Sequence, residues 1–165
     1  MKVSAILLEY HSVNEIITAV ESIRKYDKNC EIVVSSNSLY NLEEQKTALE
    51  SVPDAKWVFN EENGGFGYGM TMGANKAGGD YIVFLNSDVI LLDNFEKMIQ
   101  YMDAHPHIGL IAPELIDKNG VVQDSYRKTI TPFNFIWRHI TRLMHVEHNN
   151  KRYEPIIVDW VIGAF

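Results

Sequence analysis

The stretch VSAILLEYHSVNEIITAVESI, residues 3–23, decides the fold. Its first part, Val3 to Tyr10, is a nearly continuous apolar run, the pattern of a central strand buried on both faces. The second part changes period. Val13, Ile16, Ile17, Val20 and Ile23 fall on one side of a helix, and Ser12 with Glu15 has capping-box spacing ahead of them. A buried strand followed at once by a helix with one apolar side is the beginning of a parallel sheet, because the helix must carry the chain back before the next strand can pair.

The alternation recurs downstream. Glu31 to Ser35 reads as a second strand, and Asn41 with Glu44 caps a segment whose Leu42, Ala48, Leu49 and Val52 face inward, closed by Pro53. Lys56 to Phe59 is a third, short strand. The glycine-rich stretch Asn63 to Gly73 leads into a helix that ends near Gly78 and Gly79, and Tyr81 to Leu85 is a wholly apolar fourth strand. Asp93 and Glu96 form another capping box, for a helix carrying Phe95, Met98, Ile99 and Met102 that Pro106 closes. From Ile108 the rhythm changes. Ile108 to Ile116, a turn at Asp117 to Gly120, and Val121 to Gln123 read as an antiparallel, hairpin-like addition. Phe133 to Met144 has the apolar spacing of a further helix. The expectation is an α/β fold on a mostly parallel sheet, as one domain over residues 1–165, since no repeat and no Pro-, Gly- or Ser-rich linker divides it.

Composition narrows the function. A formal charge of −7 argues against a nucleic-acid partner, because neutralising phosphates needs a basic surplus. Cys30 is the single cysteine, which excludes an internal disulfide and a cysteine-based zinc site and fits a reducing, cytoplasmic setting. No run approaches the ~18 apolar residues of a membrane span, and Met1 to Tyr10 lacks the layout of a signal peptide.

In an open parallel sheet the ligand site lies beyond the carboxyl ends of the strands, which singles out Glu9 to His11, Ser35 to Ser38, Asn63 to Gly69, and Asn86 to Asp88. The last reads FLNSDVILL, a polar triplet between apolar runs. On strand alternation Asn86 and Asp88 point the same way, and an oxygen-bearing pair so presented suits a hard divalent cation that shares phosphate oxygens with a ligand. The triplet is equally the ordinary composition of a turn after a strand. The run NGGFGYGMTMG lacks the Gly-Lys-Ser/Thr ending of a P-loop and misses the dinucleotide spacing at Met72. It is left as a flexible backbone able to approach a ligand, with Phe66 and Tyr68 as stacking faces, or as a plain connector.

Taken together, the strand ending in Tyr10, the strand ending in SSNS, NGGFGYG, AGGDYIVFLNSDV and VDWVIGAF resemble, in order and spacing, the family 2 glycosyltransferases of GT-A fold, closest to their rhamnosyltransferase-like branch. The resemblance covers essentially the whole chain. It implies an inverting transfer of a sugar from a UDP- or dTDP-linked donor to a glycan or lipid-linked acceptor hydroxyl. It places Asp88 as ligand of a magnesium or manganese ion, with Asn86 and Ser87 beside it, and Glu9, Tyr10, Ser36, Asn37, Asn63, Gly65 and Phe66 around the nucleotide sugar. Asp80 becomes an organiser of the site. Asn86 stands at the first position of the family's Asp-X-Asp signature and adds no charge there; Ser36 and Asn37 align with an Asp-Asn pair used near the base.

Asp159, Trp160 and Gly163 would begin the acceptor region, from about residue 156. In the family the general base lies in an acidic segment beyond the VDWVIGAF stretch, which here means beyond Phe165, so no catalytic residue is assigned within residues 1–165. The resemblance thus implies a chain that binds donor and transfers sugar poorly by itself. The competing reading is a noncatalytic nucleotide-sugar-binding remnant. The apolar run Ile156 to Phe165, with Trp160 in it, is an unusual ending for a solvated terminus, and a truncated acceptor region is expected there. His105 and His107 are best explained as part of a helix-ending turn. His139, His145 and His148 share a stretch with Arg138, Arg142, Lys151 and Arg152 that permits peripheral membrane contact, although a helix packed on the domain explains it more simply.

Overall fold

The computed structural model describes residues 2–123, 125–127 and 155–161. These fall into two compact units, the first running to Pro113 and the second lying within Glu114–Ile162.

The first unit alternates strand and helix as β1 (Val3–Glu9), α1 (Val13–Tyr26), β2 (Glu31–Ser36), α2 (Leu42–Ser51), β3 (Lys56–Phe59), α3 (Gly65–Ala74), β4 (Tyr81–Asn86) and α4 (Glu96–Ala104). Its four strands form one sheet in the order β3-β2-β1-β4, every neighbouring pair parallel. β1 is central because its apolar run has something to bury on each face. Val3, Ala5 and Leu7 pack with Ile16, Ala19, Val20 and Ile23 of α1 and with Phe95 before α4, while Ile6 packs with Val33 and Met70 on the other side. Each fully buried Leu, Ile or Val contributes about 1.5–3 kcal/mol, which makes this two-sided burial the main force on the strand.

α3 is the element that the sequence disguises. The glycine-rich run does not lead into a helix; it is the helix, with four glycines among its ten residues. Each costs about 1 kcal/mol of helix propensity relative to alanine, so packing must supply the difference. It does so through close approach to the sheet. A methyl group on Gly73 would stand 2.5 Å from Ile6 Cγ2, and one on Gly69 2.3 Å from Leu8 Cδ1. These glycines exist so that the helix axis can lie down on β1 and β2, and Met70 between them is buried.

Other expectations change in detail. Ser12 precedes α1 but makes no side-chain cap, because its hydroxyl accepts the Tyr10 N–H at 3.3 Å. The Asp93–Glu96 box is likewise not formed; Asn94 Oδ1 accepts the Glu96 N–H at 3.1 Å instead. The Asn41–Glu44 box on α2 is complete, yet only Ala48 and Val52 of its apolar set are buried, and Leu42 is 85% exposed. β4, despite its unbroken apolar run, is an edge strand whose Ile82 and Phe84 remain 43% and 41% exposed, since α3 covers β1 and β2 on that face.

The expected hairpin is reduced to one antiparallel bridge, Ile116 with Val122 in the second unit, while Ile108 to Leu115 forms no strand. The turn is closed by Asp117 N–H to Val121 O at 2.9 Å and by Gly120 at φ 77°. Backbone N–H groups of Val121 and Asn119 hold the Asp117 carboxyl below its usual range. β5 (Tyr126–Arg127) and β6 (Trp160–Val161) form a two-stranded antiparallel sheet. The helix expected at 133–144, the histidines at 139, 145 and 148, Gly163, and Phe165, beyond which the general base is expected, lie outside the described residues. Among the described residues no helix is long and apolar enough to cross a membrane.

Candidate functional site

Parallel strands all deliver their carboxyl ends to one edge, and there the first unit forms an open cleft of about 360 Å³ lined by Leu8, Tyr10, Ser12, Glu15, Phe66, Asn86, Ser87 and Asp88. A second recess of about 310 Å³ shares Glu15, Ser87 and Asp88 and extends along Asn14, Thr18 and Ile90. Five of the residues expected from sequence, Tyr10, Phe66, Asn86, Ser87 and Asp88, therefore meet at one place. They come from three different elements that only the fold brings together.

The triplet Asn86–Asp88 takes the form of the turn that its composition allowed. β4 ends at Asn86, whose carbonyl accepts the Val89 N–H at 3.2 Å, so Ser87 and Asp88 form a turn and the strand alternation does not extend to Asp88. The turn is held from both sides. Leu85 is buried in the sheet, and Leu91, also buried, donates its N–H to Ser22 Oγ of α1 at 2.9 Å. The Asp88 carboxylate is exposed and makes no hydrogen bond or ion pair among the described residues.

The remaining expected residues do structural work in this arrangement. Glu9 is fully buried, with Ser36 Oγ, Ser38 Oγ, Tyr40 Oη and the Ser12 N–H all donating to its carboxylate. Tyr40's phenol is raised above its ordinary value, first by burial and further by the Glu9 carboxylate that accepts its proton. Ser36 and Asn37 are buried as well. Asn37 Nδ2 donates to Asn63 Oδ1 at 3.2 Å and to Gly65 O at 3.1 Å, while Asn63 Oδ1 accepts the Gly65 N–H at 3.1 Å. Gly65 has φ 84°, which glycine adopts without strain, and this amide cluster sets the entry into α3.

Asp80 is corrected. It sits before the amino end of β4 and accepts the Lys2 N–H at 2.9 Å, a strand's length of roughly 20 Å from Asn86, so it pins the far edge of the sheet and does not organise the cleft. Asp159 and Trp160 are at β6 in the second unit. Gly163 and Phe165, the rest of the expected acceptor stretch, are outside the described residues.

Glu15 was missed by sequence reasoning, which spent it on a capping box. It lines both recesses, is exposed, and makes no hydrogen bond or ion pair among the described residues. An acidic residue in the first turn of the helix after the central strand is on the ligand side of any such sheet, and that was the available signal. Among the described residues, no group of three His, Cys, Asp or Glu side chains could hold a metal alone. The donor set at the cleft is nevertheless of the hard-oxygen kind, and magnesium or manganese habitually takes one or two carboxylates and fills the rest of its shell with water and phosphate oxygens. Asp88 and its neighbours fit that role only together with a phosphate-bearing ligand.

A parallel α/β sheet with its cleft at the carboxyl edge and an acidic turn after β4 defines a GT-A-type fold. The model of glycosyl transferase family 2 matches residues 4–162, and the chain belongs to that family. Solved structures share the fold. TarS from S. aureus, solved over residues 1–349, is 20% identical with a TM-score of 0.51, the match covering 78% of this chain and 42% of that one. The mannosyltransferase PcManGT from Pyrobaculum calidifontis, solved in complex with GDP-Man and Mn2+, is 17% identical with a TM-score of 0.50, covering 82% and 37%. The chain thus spans less than half the length of these structures. No curated protein matches it in sequence.

Proposed function

We propose that the cleft binds a nucleoside diphosphate sugar together with a divalent cation, and that the chain is the donor-binding part of an inverting glycosyltransferase of the rhamnosyltransferase-like branch, acting on a glycan or lipid-linked acceptor. The observation that carries this reading is the unpaired Asp88 carboxylate on its anchored turn, in one cleft with Glu15, Tyr10 and Phe66. Membership of glycosyl transferase family 2 supports the reaction class, and the GDP-Man and Mn2+ of the mannosyltransferase support the ligand class and the cation.

In this reading Tyr10 and Phe66 offer apolar ring surface to the planar part of the ligand, and Asn86 and Ser87 hydrogen-bond its polar edge. Asp88 would hold the divalent cation. A bound divalent cation acts as a Lewis acid, offsetting charge on the leaving group and orienting it. The acceptor hydroxyl must lose its proton to a positioned base. Glu9 does not serve as that base, because it is buried and its oxygens hold four donors. The Glu15 and Asp88 carboxylates make the empty cleft repel a diphosphate, so binding depends on the cation.

Calorimetric titration of UDP, dTDP and GDP into the chain and into Asp88→Ala, with and without Mn2+, tests the proposal. Cation-dependent binding to the wild-type chain that falls at least tenfold in Asp88→Ala is expected, about 1.4 kcal/mol for the lost charged contact. Cation-dependent binding that survives the substitution would remove Asp88 from the site.

A further inference from the structure

Glu9 is the last residue of β1, 0% exposed, and no cationic side chain pairs with it among the described residues. A buried carboxylate of this kind persists only when donors satisfy it. Oε1 accepts from the Ser12 N–H and from Tyr40 Oη, both at 2.9 Å. Oε2 accepts from Ser36 Oγ at 2.5 Å and from Ser38 Oγ at 2.8 Å. One donor lies in the turn between β1 and α1, and three belong to the end of β2 and the loop that follows. The carboxylate therefore clamps together two loops at the carboxyl edge of the sheet.

Each of those loops carries a residue in a conformation that it would not choose alone. His11 has φ 52° and Leu39 φ 53°, both in the left-handed region without being glycine. Such residues keep this conformation when their surroundings over-determine it, and they concentrate at functional sites. His11 is tied to the opposite loop by its N–H, which donates to Ser38 Oγ at 2.7 Å, and its ring lies between those of Tyr10, 4.6 Å away, and Tyr40, 6.2 Å away. Tyr10 stands between clamp and strained histidine, is 54% exposed, and lines the cleft.

We propose that Glu9 is a positioning residue for nucleotide recognition: it never touches the ligand, and by clamping the two loops it fixes Tyr10 as a rigid wall for the planar base. This rests on the reading of the cleft as a nucleoside diphosphate site. It assigns Glu9 a different task from direct contact, and it separates the base end of the cleft from the Asp88 end, where the diphosphate is held.

The test is calorimetric binding of UDP and GDP, and of inorganic pyrophosphate as a probe without a base, all with Mn2+, to the full chain and to Glu9→Gln. The amide nitrogen cannot accept from the hydroxyls. Nucleoside diphosphate binding is expected to weaken about tenfold while pyrophosphate binding stays within about twofold, and Glu9→Gln is expected to add nothing in a Tyr10→Ala background. Unchanged nucleotide affinity, equal weakening of nucleotide and pyrophosphate, or full additivity with Tyr10→Ala overturns the inference. If circular dichroism shows Glu9→Gln unfolded, Tyr40→Phe, which removes a single donor, carries the same expectation at about threefold, with the same overturning outcomes. A wild-type chain that binds neither nucleotide refutes the reading of the site itself, whereas wild-type binding matched by the variants refutes the clamp alone.

Discussion

Alanine placed separately at Gly67 and at Gly73 distinguishes a packed helix from a glycine loop. Both positions lie inside α3, so the gain from replacing a helical glycine, about 1 kcal/mol, is common to the two, as is the restriction of the unfolded chain. They differ in space. Nothing lies within 4 Å of a methyl group at Gly67, whereas at Gly73 it would stand 2.5 Å from Ile6 Cγ2 and 3.3 Å from Ser35 Cβ. Ile6 and Ser35 are fully buried, and a side chain branched at Cβ cannot swing its γ-methyl aside without leaving its rotamer. Overpacking of this kind costs about 1–3 kcal/mol. Gly67→Ala is therefore expected to stabilise by about 1 kcal/mol and Gly73→Ala to destabilise by about 1 kcal/mol, a gap of roughly 2 kcal/mol. At ~2–4 °C per kcal/mol for a chain of this size, thermal unfolding followed by circular dichroism should separate the two midpoints by roughly 4–8 °C. Equal shifts, or a larger loss at Gly67, would refute the close approach of α3 to β1.

Two further outcomes follow from the charged groups. Glu31 is held below the usual carboxylate range, first by the Ser4 hydroxyl and then by the Gly78 N–H. Its contribution is thus complete above the ordinary glutamate value of about 4.3 and is lost as pH falls through the lower folded value. The difference in midpoint between wild type and Glu31→Gln should be constant near neutrality and vanish in acid; a difference that grows on acidification would contradict the assignment. Glu15→Gln removes one of the two carboxylates shared by both recesses. At roughly 7 Å in water-like dielectric one charge pair is worth about 0.6 kcal/mol, so cation-free binding of a nucleoside diphosphate should tighten a few-fold, with a cation requirement unchanged by the variant as the opposing result.

The residues that the sequence placed well are those whose burial is two-sided or whose capping is local. β1 is found at Val3–Glu9, within the apolar run Val3 to Tyr10 as read, and the Asn41–Glu44 box forms because both partners lie within one turn. Ser12 failed as a cap for a local reason: its amide and hydroxyl are engaged by Glu9 and Tyr10, just before it in the chain. The glycines of α3 misled for a tertiary reason, since helix propensity is local and the contact with Ile6 that outweighs it is not. That Asp88, Asn86 and Tyr10 line one cleft was legible from their position at the carboxyl ends of strands. The inward turn of Glu9 was not, because its partners Ser36, Ser38 and Tyr40 are 27, 29 and 31 residues away. Glu15 was legible in principle, being the acidic residue in the first turn of the helix after the central strand.

The most direct test of the site is paramagnetic broadening of the amide signals of the 15N-labelled chain by Mn2+ in the presence of a nucleoside diphosphate. Broadening is expected to centre on Asn86–Val89 and on Ser12–Thr18 of the cleft, to spare Lys2 and Gly78–Asp80 at the opposite edge of the sheet, and to disappear in Asp88→Ala. Broadening centred on that opposite edge, or unchanged in Asp88→Ala, would contradict the placement of the cation at Asp88.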